Sequence, residues 1–219
     1  MRRPEPLVLV GRHVRLEPLG PQHRDELLTA AAQDPSTFRY MSFDLSRPEA
    51  WEGFLREALE GAARGDYVPW ASVDLESGRA IGSTRYGDVA PEHGRLEIGW
   101  TWIAPSHQRS AINTEAKLLQ LRHAFEDLGA TRVALKTDAR NLRSQAAIAR
   151  LGAVREGTLR RHIRLPDGFL RDTVYYSILS DEWPQVRSGL EERLARGGRE
   201  LPDGWRRAAQ PAVPADQGS

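Results

Sequence analysis

From Leu7 to Leu19 apolar and polar residues alternate around Gly11, the period of two short strand pieces at a sheet edge. The spacing turns helical from Pro21 to Ala32 and again from Pro48 to Ala63, with Ser46 ahead of Pro48 as cap and start. Asp34 to Ser46 is an aromatic-containing connection between these helices. Three strand-like runs follow, Tyr67–Leu75, Ala80–Asp88 and Arg95–Ile103, separated by the turn clusters ESG and APEHG, and they read as an antiparallel meander. After Pro105 the period is helical again. Leu118, Leu121, Phe125 and Leu128 fall on one face, Glu115, Arg122, Glu126 and Asp127 face elsewhere, and Gly129 closes the helix. Thr131–Asp138 alternates as a strand, Ser144–Leu151 is a short helix ended by Gly152, and Val154–Leu165 and Arg171–Leu179 flank the turn Pro166-Asp167-Gly168 as a hairpin. A last helix runs from Asp181 to Arg196. The pattern predicts an α+β fold with a mixed, mostly antiparallel sheet flanked by helices.

Composition narrows the class. A chain of 219 residues with 40% hydrophobic and 28% charged residues is that of one globular domain. We place that domain at 1–196, with its core over 7–183, and read the Gly-, Pro- and Ala-rich residues 197–219 as a disordered tail. The net charge of +1 supplies no general field for nucleic acid. Arginine carries nearly all the positive charge, which either phosphate binding or codon usage would produce. The absence of cysteine excludes disulfides, thiolate zinc sites and a cysteine nucleophile, and fits the cytoplasm. No run approaches the ~18 apolar residues of a membrane helix, and no histidine cluster has metal spacing, so neither membrane nor metal is expected.

Three segments carry the chemistry: EIGWTWIAPSHQRSAINTEAKLL at Glu97–Leu119, TDARNLRSQAAIARLGA at Thr137–Ala153, and EGTLRRHIRLPDG with RDTVYYSIL downstream. In order and spacing the chain resembles the GNAT N-acetyltransferases, and within them the RimJ/RimL-like branch, from Leu7 to Trp183. The resemblance implies an acyl-CoA N-acyltransferase fold splayed at the cofactor site, acetyl-CoA or another acyl-CoA as co-substrate, and an amine acceptor, a protein N-terminus or a small molecule; the oligomeric state is open, with a homodimer favoured.

The loop Gln108–Asn113 stands where a strand ends and a helix begins, and the N–H groups of a helix start suit a pyrophosphate. Arg109 adds charge, and Ser110, Asn113 and Thr114 add polar side chains around the first turn; Ile103, Ala111 and Ile112 complete the stretch. Many relatives carry glycine in this loop and QRSAIN has none; other residues serve there if the dihedrals are ordinary, and the departure keeps open a module that binds without turnover. By resemblance Asn141 hydrogen-bonds the pantetheine chain and Ser144 lies near the leaving thiol; Asn141 reads equally as an N-cap, and the two roles are compatible. Glu97 is the preferred base for the attacking amine, with a structural ion pair as the alternative reading. Alternation puts Gly99 and Thr101 on its face, opposite Leu96, Ile98, Trp100 and Trp102. Tyr175 and Tyr176 point to opposite faces, so one reaches the thioester while the other packs. Tyr40, Trp70 and His162 are read as the acceptor wall, and Arg85, Arg160 and Arg161 are the arginines available to a succinyl donor. A CoA-binding module without turnover is the alternative outside enzymes.

Deleting the residues after Arg196 is expected to leave activity intact, because that segment has no apolar face with which to pack. Loss of soluble, active protein on truncation would show the tail to be structural.

Overall fold

A computed structural model describes residues 1–196 of the chain; the tail reading concerns 197–219 and lies outside the described residues. The elements, in chain order, are β1 (Leu9–Val10), β2 (Val14–Pro18), α1 (Arg24–Ala31), α2 (Trp51–Ala63), β3 (Val68–Asp74), β4 (Ala80–Ala90), β5 (Arg95–Ile103), α3 (Ala111–Arg122), β6 (Arg132–Asp138), α4 (Leu142–Ala149), β7 (Val154–Arg164), β8 (Leu170–Leu179) and α5 (Trp183–Arg196). The eight strands form one sheet in the order β1-β2-β3-β4-β5-β6-β8-β7. Every pairing is antiparallel except β5 with β6. The strand and helix assignments from sequence match this order.

Helices cover both faces. On one side α2 packs Phe54 against the Arg85 guanidinium of β4, and Phe38, after α1, meets Trp102 of β5 in a tilted ring contact at 5.2 Å. On the other side α3 and α4 reach Thr84 and Tyr176 through Lys117 and Gln145. Proline at the starts of the first two helices produces tight turns over Pro21–His23 and Pro48–Ala50 before the regular α-helix begins. A π-helical turn over His123–Asp127 ends α3, closed by the Leu128 N–H donating to the His123 carbonyl, and Gly129 follows at a φ of +73°.

Two expectations fail here. Alternation along β5 breaks at Gly99: the register against β4 shifts between Ser83 and Arg85, and Trp100 takes a φ of +51°. This is a β-bulge, so Trp100 shares the face of Glu97 and Gly99 while Thr101 turns to the α3 side. The Trp100 indole is held by the Arg85 guanidinium at 5.2 Å, the Lys136 ammonium at 5.8 Å and the Tyr67 ring at 5.1 Å, contacts that support the unfavourable backbone angle.

Second, Glu115 leaves its expected outward face and is fully buried at 0% exposure. Its carboxylate accepts from the backbone N–H groups of Arg12, His13 and Val14 at 2.8, 2.6 and 2.9 Å, which ties α3 to the β1–β2 turn. Gly11 lies directly against it, since a Cβ there would come within 2.4 Å of Oε2. Among the described residues no helix is long and apolar enough to cross a membrane.

Glu115→Ala is expected to lower the unfolding free energy by about 2–4 kcal/mol, because its donors lose a charged acceptor in a largely dry site. Urea unfolding checks this. A change below about 0.5 kcal/mol would show that packing alone holds the turn.

Candidate active site

The parallel pairing of β5 with β6 ends at Glu97 and Ala134. Beyond it residues 98–103 stay with β4 and residues 135–138 stay with β8, so two strand edges face each other across a gap. A cavity of about 600 Å³ passes through this gap and is lined from both faces of the sheet. On the α3/α4 side it meets Gln108, Arg109, Asn113, Lys117, Asn141, Arg143 and Ser144; on the other it meets Tyr40, Glu97, Trp100, Lys136 and Arg171.

The α3 start is built as a helix cap. Ser110 Oγ accepts from the Ile112 N–H at 3.3 Å and donates to the His107 carbonyl at 2.6 Å. The remaining N–H groups of the first turn have no intrahelical partner. The dihedrals of the loop are not all ordinary: Arg109 sits at a φ of +61°. The loop keeps a left-handed residue without glycine, which accounts for a motif that looked defective in sequence. Gln108 links the two sides, donating to the Ile103 carbonyl at 2.8 Å and accepting from the Arg143 guanidinium.

Asn141 caps α4, its Oδ1 accepting from the Ser144 N–H at 3.0 Å, and both residues border the cavity. The cap reading therefore holds, and the position also faces the cleft. The polar groups on this side are the orphan N–H donors of α3, the cations Arg109, Arg143 and Arg150 along the lining, and Asn113 Oδ1, which is buried with no hydrogen-bond partner among the described residues.

Opposite, Glu97 is 3% exposed and pairs with Lys136 Nζ at 2.8 Å. Burial pushes its carboxyl above the usual range, against the lowering effect of Lys136. Gly99 leaves room for it, since a Cβ there would stand 2.7 Å from Glu97 Oε1. Arg171 is buried on the same side; Nε donates to Thr173 Oγ1 at 3.0 Å and one terminal nitrogen to the Tyr40 carbonyl at 3.3 Å. Tyr175 stands above Lys136 at 5.8 Å and meets the His162 ring edge-on at 5.8 Å, on the rim of the cavity and not in its lining. Tyr176 faces the other way and bonds Gln145.

Two substrate-binding assignments, Trp70 in the acceptor wall and Arg85 for a succinyl donor, are corrected. Trp70 is 0% exposed, stacks edge-on upon Tyr86 and donates its indole N–H to the Leu7 carbonyl, so no acceptor can touch it. Arg85 is 1% exposed, bonded to Glu57 at 2.6 Å and enclosed by Phe54, Tyr67 and Trp100, so it props the bulge and meets no ligand. Arg160 and Arg161 are exposed on β7, outside the cavity lining. Thr114, Ala111, Ser110 and Ile112 surround the α3 start without lining the cavity, whereas Ile103 does line it. Sequence reasoning missed Lys117, Lys136 and Arg171. The scarcity of lysine was the available signal: the chain has two lysines among 31 basic residues.

A mostly antiparallel sheet, opened between two parallel neighbours with a capped helix at the opening, is the architecture that the resemblance to the GNAT acetyltransferases implied. The chain belongs to the GNAT acetyltransferase family, whose domain matches residues 13–154. It is 27% identical to "Putative ribosomal N-acetyltransferase YdaF" of Bacillus subtilis, over 80% of this chain and 95% of that protein. A solved structure described as a "putative acetyltransferase" from T. thermophilus is 44% identical, covers 87% of this chain and 97% of its own, and superposes with a TM-score of 0.78. Mycobacterium smegmatis RimJ, solved with a CoA disulfide, shares the fold at a TM-score of 0.72 and 23% identity, over 89% of this chain and 94% of that one.

Arg109→Gly is expected to keep thermal stability within about 1 kcal/mol of the parent, because lost backbone strain offsets the entropy of glycine, while Arg109→Val falls by about 1–2 kcal/mol. Melting curves of the two variants decide it. Equal loss in both would mean that the side chain, and not the left-handed backbone, is what the loop requires.

Proposed function

We propose that this acetyltransferase moves an acetyl group from its CoA thioester to a primary amine, directly and within a ternary complex, and that the acceptor class is a protein N-terminal α-amino group. The observation that carries this reading is the cavity itself, which runs through the sheet from the capped start of α3 to the buried Glu97. The acyl donor enters from the α3/α4 side, with phosphates at Arg109 and the first turn of α3 and the pantetheine between the open edges of β5 and β6. The amine enters past Tyr40, with His162 and Tyr175 at the rim. Backbone N–H groups of β5 beside the bulge polarise the thioester carbonyl, so positioning and carbonyl stabilisation supply most of the rate. Glu97 accepts the proton of the attacking amine, and Ser144 offers its hydroxyl to the sulfur as a hydrogen-bond donor. The B. subtilis relative's name and the CoA-bound RimJ of the same fold support acceptor and donor respectively. The lack of cysteine excludes a cysteine thioester intermediate and accords with a cytoplasmic enzyme.

Arg171 favours a second reading, a donor or acceptor that carries a carboxylate, since this buried guanidinium lines the cavity and has only neutral hydrogen-bond partners among the described residues. Calorimetric titration with CoA, acetyl-CoA and succinyl-CoA, followed by a free-thiol assay over N-terminal peptides, separates the readings. Failure of every CoA ester to bind would overturn both.

Glu97→Gln is expected to lower turnover most at low pH and to recover as rising pH deprotonates the free amine. The raised carboxyl of Glu97 works as a base only above its own titration, so the wild-type rate should fall as pH drops through that point. Matched pH–rate profiles on one peptide decide it. A Glu97→Gln profile parallel to wild type and near it in height would make Glu97 structural.

A further inference from the structure

The chain draws its 31 basic residues almost wholly from arginine; lysine occurs twice, at Lys117 and Lys136, and both border the cavity. They stand on opposite faces of the sheet. Lys136 has a carboxylate partner in Glu97. Among the described residues Lys117 has none: its Nζ donates to Thr101 Oγ1 at 2.7 Å, Gln120 Oε1 at 3.0 Å and Thr84 Oγ1 at 3.1 Å, all neutral, in a residue 4% exposed.

The position follows from the bulge. Where β5 carries one residue too many, Thr84 loses its register partner, Thr101 swings toward α3, and Lys117 fills the space beneath. On α3 it lies one helical turn beyond Asn113, along the line from the phosphate-binding helix start into the gap. This is the side from which the thioester sulfur arrives, across the sheet from Glu97.

We propose that Lys117 is the proton donor to the departing thiolate. The inference rests on the acyltransferase reading above and adds the group that the leaving sulfur needs. As the amine nitrogen forms its bond to the acyl carbon, its proton passes to the Glu97 carboxylate. The C–S bond breaks with its electron pair on sulfur, and sulfur takes a proton from the Lys117 ammonium. Glu97 then releases a proton to solvent and Lys117 regains one, so the cycle closes without a further reactant.

The acidity suits the task. Burial away from any counter-charge lowers the Lys117 ammonium to about 7. A thiol titrates near ~8.5, so transfer to sulfur runs downhill. Its hydrogen-bond partners are Thr84 from β4, Thr101 from β5 and Gln120 from its own helix, none of them charged, and Asn113 and Ser144 line the same cavity. Glu97 and Lys136 lie behind the sheet and Arg109, Arg143 and Arg150 lie along the α3/α4 lining. An arginine could not do this work, since it stays protonated. Ser144, a neutral hydroxyl, can hydrogen-bond the sulfur but is a poor source of a proton at neutral pH.

Having two lysines makes the test direct. In protein labelled with 13Cε-lysine, with signals assigned through Lys117→Met and Lys136→Met, the Lys117 resonance should titrate near pH 7 and shift on saturation with acetyl-CoA. Free-thiol release from acetyl-CoA with an N-terminal peptide should lose its high-pH falling limb in Lys117→Met. Its kcat should drop roughly 100- to 10,000-fold, with the acetyl-CoA KM changed by less than about threefold if binding is untouched. Lys117→Arg, which keeps charge but holds its proton, should not restore kcat. A Lys117 signal that stays protonated to pH 10, or that ignores acetyl-CoA bound by calorimetry, would overturn the proposal, and this part needs no variant to fold. Absence of acetyl-CoA binding itself would instead remove the acyltransferase reading beneath it.

Discussion

Parallel neighbours that pair for three residues and then part are the constraint on which the site depends. Backbone N–H and C=O groups left unpaired inside a protein are unfavourable unless something else meets them, so an opened pair of strand edges is an invitation to a ligand with amides of its own. Pantetheine has such amides. The gap also breaches the sheet, so one small space opens toward both of its faces.

The bulge in β5 refines that opening. By placing Gly99 and Trp100 on one face and Thr101 on the other, it redirects backbone polar groups in the middle of the gap and makes room for Lys117. It survives at a positive φ because Arg85, Lys136 and Tyr67 hold the Trp100 ring. Arg85 thus contributes as a buried prop, with Glu57 as its ion-pair partner. The same logic applies at Arg109, where a left-handed residue shapes the start of α3 and glycine is only the commonest way to obtain that conformation.

Charge is distributed across the gap by chemistry. Arginines accompany the helix start, where a permanent positive charge suits phosphate. At the centre stand groups that can change protonation: Glu97, raised by burial, and Lys117, lowered by it. Burial acts in opposite directions on an acid and on a base, raising the one and lowering the other on the two faces of the sheet.

The sequence by itself determined the order of elements and the joints that carry the site. Strand and helix periods are local, and turn residues such as those at Pro166-Asp167-Gly168 act within a few positions. The start of α3 after Gln108, the cap at Asn141 and the place of Glu97 on its strand were legible for the same reason, each being set by a local pattern. What only the tertiary structure decided was which faces meet. A single inserted residue in β5 reversed the alternation beyond Gly99, buried Trp70 and Arg85 turned out to be core, and Glu115 left its expected face to hold the β1–β2 turn. Lys117, Lys136 and Arg171 come from α3, β6 and β8, and their convergence depends on strand register and helix docking between distant segments. No local pattern records those distances, because they are set by the packing of the whole sheet.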